Sequence, residues 1–217
     1  MKKAIYITDQ KAETLLRTEV SEQLLEKDET LVWRKFIDGD NKSLIYIYQK
    51  YVDVLYTYGC QITTRSEFVR DCIQDLFIYI IDRRSKLSDV KSIKAYLFAS
   101  LKRKILRDLK KEEKLIGNEG FNFFLEDAPF YISDNLSEEE RKIIHKQLNE
   151  LPVNQREVIY LHFYEGLSYA DIATVLNVKD GNVRVMVHRA LVKLKERLKP
   201  FRNALYTIIL SLITFLS

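Results

Sequence analysis

Two cysteines, three prolines and six glycines are spread over 217 residues. Each scarcity removes a class of protein. Cys60 and Cys72 are too few for a disulfide scaffold, and neither has a ligand partner at metal-site spacing. Both read as reduced core or near-core thiols of a cytoplasmic chain. With 47% hydrophobic and 30% charged residues, the scarcity of Gly and Pro fits an ordered, helix-rich protein and excludes a disordered one. The sequence has no Gly-rich phosphate loop, paired carboxylates, nucleophile with a base, or His/Cys cluster. No catalysis, cofactor, metal or small-molecule substrate is therefore expected. The opening "MKKAIYITDQKAETLL" starts basic like a signal peptide but meets Asp9, Lys11 and Glu13 before an apolar run develops, which argues against export.

What is present is charge in blocks. The formal net charge is only +4, yet residues 83–114 hold twelve Lys or Arg against four acids, and residues 179–199 hold seven against two. Local excesses of this kind mark phosphate-binding surfaces, although a solvated helix face has the same look. Between the blocks, residues 119–140 carry seven acids and no base. That stretch, with two Gly nearby and a break at Pro129, reads as a linker, while Phe121, Phe123, Phe124, Phe130 and Tyr131 point to packing along it.

Periodicity predicts helices on both sides. Leu44, Tyr48, Tyr51, Val52 and Leu55 fall on one helical face, and a second helix is expected over Ser66–Asp82. A third begins near residue 92, with Ile93, Leu97, Leu101, Ile105 and Leu109 at four-residue intervals and Lys or Arg elsewhere. After the linker, Ser137 followed by three Glu reads as a capped helix start. Pro152 breaks the pattern, and a further helix runs to Gly166. Ser168 and Asp180 are the expected caps of two short helices, and no alternating pattern argues for a sheet.

Those last two helices, "GLSYADIATVLNVKDGNVRVMVHRALVKL", make an amphipathic hairpin. Val183, Val187, Ala190, Leu191, Leu194 and Leu198 form a stripe that packs on Ala170, Ile172, Ala173 and Leu176. The opposite face carries Asn182, Arg184, Val185, His188, Arg189 and Lys193, with Lys179 in the turn. A helix fits the DNA major groove, and Arg and Asn form bidentate pairs with guanine and adenine. A lone His188 beside an arginine suits a backbone or phosphate hydrogen bond better than chemistry. A surface helix of a helical adaptor would show the same pattern.

At these residues the chain resembles a bacterial RNA polymerase sigma factor of the extracytoplasmic function group. "LNELPVNQREVIYLHFYEGLSYADIATVLNVKDGNVRVMVHRALVKLKERL" is similar to the family's region 4. "ETLVWRKFIDGDNKSLIYIYQKYVDVLYTYG", "RDCIQDLFIYIIDRR" and "SIKAYLFASLKRKILRDLKKE" are similar to region 2. The resemblance implies an all-α protein of two small helical domains joined by an acidic linker, the C-terminal one a helix-turn-helix. Its expected divisions are an extension at 1–28, region 2 at 29–115, a linker at 116–140, region 4 at 141–200 and an apolar tail at 201–217.

The resemblance also implies partners and roles. Core RNA polymerase would be met at the clamp of its largest subunit and the flap of the second, with Asp71, Gln74 and Asp75 as the clamp set on a helix that buries Phe77. Promoter DNA at the minus-ten element would meet Lys86, Ser88, Lys102, Arg103, Lys104, Arg107, Lys110 and Lys111. Tyr96 and Phe98 are stacking candidates for an unpaired base. The minus-thirty-five element would meet Lys179, Asn182, Arg184, Val185, His188 and Arg189. An anti-sigma factor is a further expected partner, and the cytoplasm the expected location. Val185, Met186 and Asn182 depart from residues common in the family's recognition helix, so the promoter sequence read here is expected to differ.

Two other classes remain open at this level: a helix-turn-helix repressor or response-regulator output domain, and a helical interaction protein that ignores DNA. The chain ends "NALYTIILSLITFLS", apolar for about fourteen residues. That is short of the roughly 20 needed to span a bilayer, so a docking or core helix is expected, with an interfacial anchor second.

Overall fold

A computed structural model describes residues 28–112 and 137–201. The N-terminal extension, most of the acidic linker and nearly all of the apolar tail lie outside the described residues. Among those described there are eight α-helices and no strand, which bears out the all-α expectation.

The first unit holds α1 (Glu29–Ile37), α2 (Asn41–Ile62), α3 (Ser66–Asp82) and α4 (Ile93–Glu112). Helix α1 starts where the Asp28 carboxylate accepts from the amides of Thr30 and Leu31, and it ends before Gly39, whose φ of 100° turns the chain back. Its purpose is Trp33, fully buried against Phe36 and Tyr96, with the indole N–H donating to the Ser88 carbonyl at 3.0 Å. Asp40 then caps α2 by accepting from Lys42 and Ser43.

The buried stripe of α2 is Ile47, Tyr51, Leu55, Tyr58 and Ile62. The expected face was rotated from this one: Tyr48 is exposed and packs edge-on against Phe77, while Val52 is half-buried. The cause is the cluster of apolar residues from 44 to 58, in which several stripes satisfy the helical period and only tertiary packing selects one. Where α2 crosses α3, a Cβ on Gly59 would stand 2.4 Å from Val69 Cγ1, so the backbones approach as only glycine permits. Helix α3 occupies the expected span, and α4 contributes Ile93, Leu97, Leu101, Ile105 and Leu109, all buried as the four-residue spacing predicts.

The second unit holds α5 (Glu138–Asn149), α6 (Val153–Ile159), α7 (Tyr169–Leu176) and α8 (Asp180–Leu198). Ser137 and Glu140 form a reciprocal capping box at the start of α5. The helix expected through to Gly166 is α-helical only as far as Ile159 and continues as a π-helical turn over Tyr160–Tyr164. Gly166 then takes a φ of 65°. Ser168 caps α7 as expected. Asp180 does not cap α8: Lys179 stands at the cap position without a side-chain bond, and Asp180 is the first helical residue, at the positive end of the dipole.

Candidate polymerase and nucleic-acid interfaces

The candidate clamp set lies on the outer side of α3. Its inner side buries Val69, Cys72, Ile73, Leu76, Phe77 and Ile80, and the 3.6-residue period leaves Asp71, Gln74 and Asp75 exposed. Burial pushes the Cys72 thiol up to about 11, which fits an unreactive core thiol. Ile78, Tyr79 and Ile81 are exposed beside the acids, at 48%, 52% and 39%. An apolar strip edged by carboxylates is a protein-binding surface more than a solvated face. Alternation of buried and exposed residues along α3 would have revealed those three, since they fall outside the stripe that Phe77 defines.

The minus-ten candidates do not share one environment. Lys86, on a short 3₁₀ turn (Arg84–Lys86), and Ser88 are exposed beside the first unit's core, and Arg34 holds Asp89 in the same loop at 3.0 Å. On α4, Lys110, Lys111, Arg103 and Arg107 face water. Arg107 and Lys111 pair with Asp108, and hydrogen bonds from Lys104 and Arg107 outweigh its desolvation and hold its carboxyl below the ordinary range. Arg103 bonds back to the Ala99 carbonyl and Ser100.

Lys104 and Lys102 are different. Lys104 Nζ lies 2.8 Å from Asp75 and 3.0 Å from Asp108 with its side chain 15% exposed, so a candidate DNA contact and a candidate polymerase contact are paired with each other. Burial works against its charge, but the two carboxylates outweigh it and its pKa is raised. Lys102 is 17% exposed and points to Glu157 of the second unit, 2.8 Å away. Phe98 is fully buried and stacked on Tyr58, and Tyr96 packs on Trp33. In this packing Phe98 is a core residue, because a ring at a buried helical position has no open face to offer a base.

The two units meet along α4 and α7, with α6 and its π turn beside them. The joint is polar at its centre. Glu157 is 2% exposed, accepting from the Tyr58 hydroxyl at 2.7 Å and from Lys102 at 2.8 Å. Burial first, and the Glu157 charge second, push the Tyr58 hydroxyl well above its ordinary pKa, so the phenol stays the donor. Toward the rim, Lys94 Nζ reaches Glu165 Oε2 at 2.7 Å and its carbonyl at 2.6 Å, while Tyr160 donates to the same carboxylate at 2.8 Å. Sequence reading missed Glu157, Glu165 and Lys94, since a helix-period pattern does not say which charged residue meets another unit.

On α8, Val183, Val187, Ala190, Leu194 and Leu198 are buried as expected and Leu191 is half-buried. Lys179, Asn182, Arg184, Val185, His188, Arg189 and Lys193 are exposed along the outer face. The turn before it closes through Asn177 in the left-handed conformation, φ 54°, which suits asparagine. Arg184 lies over the ring of Tyr169, and Tyr169 packs on His162, whose Nδ1 is 3.0 Å from the Leu167 carbonyl. The Arg184 side chain is thus held from the preceding helix. Lys179, Arg184, Arg189 and Lys193 make this exposed face positive, which suits base or phosphate recognition.

Residues 47–115 match the family profile "Sigma-70 region 2", and residues 136–194 match "Sigma-70, region 4". The chain is 24% identical to the ECF RNA polymerase sigma factor SigM of Bacillus subtilis over 161 residues, covering 72% of this chain and 93% of that one. It is 33% identical to the RNA polymerase sigma-H factor of Pseudomonas aeruginosa over 87 residues, 35% of this chain and 45% of the relative. The fold is like that of CnrH, solved in complex with the cytosolic domain of CnrY, with a TM-score of 0.54 and 19% identity over 79% of this chain and 97% of that one. It is also like the sigma factor RpoE of Bartonella quintana, solved with the anti-sigma factor NepR, with a TM-score of 0.51 and 20% identity over 73% and 96%.

Proposed function

The chain belongs to the sigma-70 family as a sigma factor of the extracytoplasmic function group, which directs RNA polymerase to promoters, and from that premise we propose how its residues divide the work. Region 2 spans 29–115 and region 4 spans 141–200, with 116–140 as linker. Asp71, Gln74 and Asp75 bind the clamp of the largest core subunit, and the exposed Ile78, Tyr79 and Ile81 give that contact an apolar centre. A carboxylate rim around an apolar strip steers a basic partner helix and then buries it.

Lys86, Ser88, Arg103, Arg107, Lys110 and Lys111 take the phosphates of the minus-ten element, with Lys102 and Lys104 joining them when their internal carboxylate partners let go. Lys179, Asn182, Arg184, Val185, His188 and Arg189 read the minus-thirty-five element. The carrying observation is that these six, five on the outer face of α8 and Lys179 at its cap position, are all exposed while the inner stripe of the helix is packed. The protein acts without chemistry of its own, as a non-enzymatic initiation factor in the cytoplasm. Among the described residues no helix is long and apolar enough to cross a membrane. An anti-sigma protein is a further partner, a reading supported by the likeness in fold to proteins solved with such partners.

The division is tested by pull-down of core polymerase with charge-reversed chains. Asp71→Lys and Asp75→Lys are expected to lose core binding and keep duplex binding by α8, and Arg189→Glu the reverse. Unchanged core binding by both α3 variants would overturn the clamp assignment.

A further inference from the structure

The longest uncharged stretch of the chain is residues 203–217, fifteen residues of which ten are apolar. The next longest, residues 54–64, runs along the end of α2, and there Leu55, Tyr58 and Ile62 are buried in the first unit's core. Residues 203–217 lie outside the described residues, and neither the promoter faces nor the candidate clamp set uses them. An apolar stretch of this size calls for a partner that covers it.

The described surface beside it carries the chemistry of that partner. Val192 and Lys195 on α8, and Lys199 at its C-terminal cap, follow at spacings of three and four, which places them on one stripe, and all three are exposed. Lys193 is exposed beside them, and Phe201, just past the helix, is 38% exposed. Residues 193–202 hold five Lys or Arg against the single acid Glu196. Arg197 is taken by Glu150 at 3.3 Å, but among the described residues no carboxylate pairs with Lys193, Lys195 or Lys199. The helix thus ends in a collar of ammonium groups and one aromatic ring, and the uncharged stretch follows directly.

Cations at the edge of an apolar segment match a bilayer of anionic lipid, whose phosphates lie just outside its acyl boundary. Lysine stems run along apolar surface while their ammonium groups stay at the phosphates, and an exposed ring such as Phe201 suits the layer between. DNA offers the phosphates without the apolar layer. A second copy of the chain offers the apolar layer, but a two-fold contact sets the same patch against itself and brings collar against collar.

We propose that the end of α8, with Lys193, Lys195, Lys199 and Phe201, forms together with the stretch 203–217 a docking surface for an anionic lipid bilayer. The lysines meet the headgroup phosphates, and Phe201 and the stretch enter the acyl boundary. This goes beyond promoter recognition and needs neither polymerase nor DNA.

The test is flotation of the full 217-residue chain on a density gradient with vesicles, which rise while protein aggregates sink. The chain is expected to float with vesicles of equimolar phosphatidylglycerol and phosphatidylcholine at about 0.1 M salt, and to bind vesicles of phosphatidylcholine alone about tenfold more weakly. Lys195→Gln with Lys199→Gln is expected to weaken binding to the anionic vesicles by about twentyfold, at roughly fivefold for each cation lost from the surface. Lys35→Gln with Lys42→Gln makes the same change of charge on exposed residues of the first unit and is expected to leave flotation unchanged. Ile209→Asp with Ile213→Asp, which puts two charges into the uncharged stretch, is expected to abolish it. Failure of the wild type to float with anionic vesicles overturns the proposal, whether the chain is then a monomer, its own fold covering the stretch, or a dimer, with a second copy as the cover. An equal loss from the Lys35 and Lys42 pair also overturns it, as unspecific charge attraction. So does equal binding to the neutral vesicles, as apolar adsorption without the collar. The comparison of the two lipids uses the wild type alone and stands if a variant does not fold. None of these results touches the sigma reading, which transcription tests.

Discussion

The guanidinium of Arg184 lies over the ring of Tyr169, 5.2 Å from its centroid, so α8 and α7 before it share one side chain's orientation. A cation over an aromatic face gains about 0.5–1 kcal/mol when exposed, enough to favour one rotamer of a long side chain. Tyr169→Leu is expected to cost promoter discrimination at the same base position as Arg184→Ala, and Tyr169→Phe to retain it. A double variant no worse than Arg184→Ala alone, measured by transcription from single-base promoter variants, would establish that Tyr169 acts through Arg184.

The two basic segments are expected to fail differently. Arg184→Ala loses about 1–3 kcal/mol at one promoter position, while Lys110→Ala weakens all promoters evenly and lowers the salt slope by about one. Duplex and promoter affinities over a range of salt concentrations separate the two.

Gly59 is set by the crossing of α2 over α3. Gly59→Ala is expected to destabilise region 2 by about 1–3 kcal/mol, since the new methyl meets Val69 Cγ1 at 2.4 Å. Val69→Ala in the same chain should return part of that loss, as read by urea unfolding followed by circular dichroism.

Asp40 gives a pH-dependent contribution. The hydrogen bond from Ser43 is the largest influence and holds its carboxyl below the ordinary value, against a smaller opposing effect of burial. A depressed folded pKa means that the stabilisation is full above the unfolded value, about 3.9, and is lost as pH falls through the folded one. Asp40→Ala is therefore expected to cost about 0.5–2 kcal/mol at pH 7, with the gap to wild type narrowing below pH 4. Urea midpoints at pH 7 and pH 3 provide the check.

Local signals in the sequence were enough for α3, α4, the start of α7 and the buried stripe of α8, because in each a single apolar face, a cap or a glycine leaves one solution, but on α7 Ala170, expected in the packed face, is exposed and Val175 is buried in its stead. They were not enough for α2, where apolar residues surround the helix and packing against α3 and α4 chose Ile47 and Tyr58 over Tyr48. The π turn after Ile159 also escaped, since its extra residue disturbs no apolar spacing. For the candidate site, exposure along α3 and α8 followed from period alone. The fate of Lys102 did not: whether a lysine faces water or a buried glutamate 55 residues away is decided by how two units dock, and no local pattern carries that.

The central claim is that this chain gives core RNA polymerase its promoters, and run-off transcription tests it most directly. Bacterial core enzyme with genomic promoter fragments is expected to be silent alone. Adding the purified chain should yield transcripts starting at discrete sites, and Asp71→Lys together with Asp75→Lys should abolish them. Binding to duplex DNA without any gain of initiation by core enzyme would contradict the account and leave a helix-turn-helix repressor in its place.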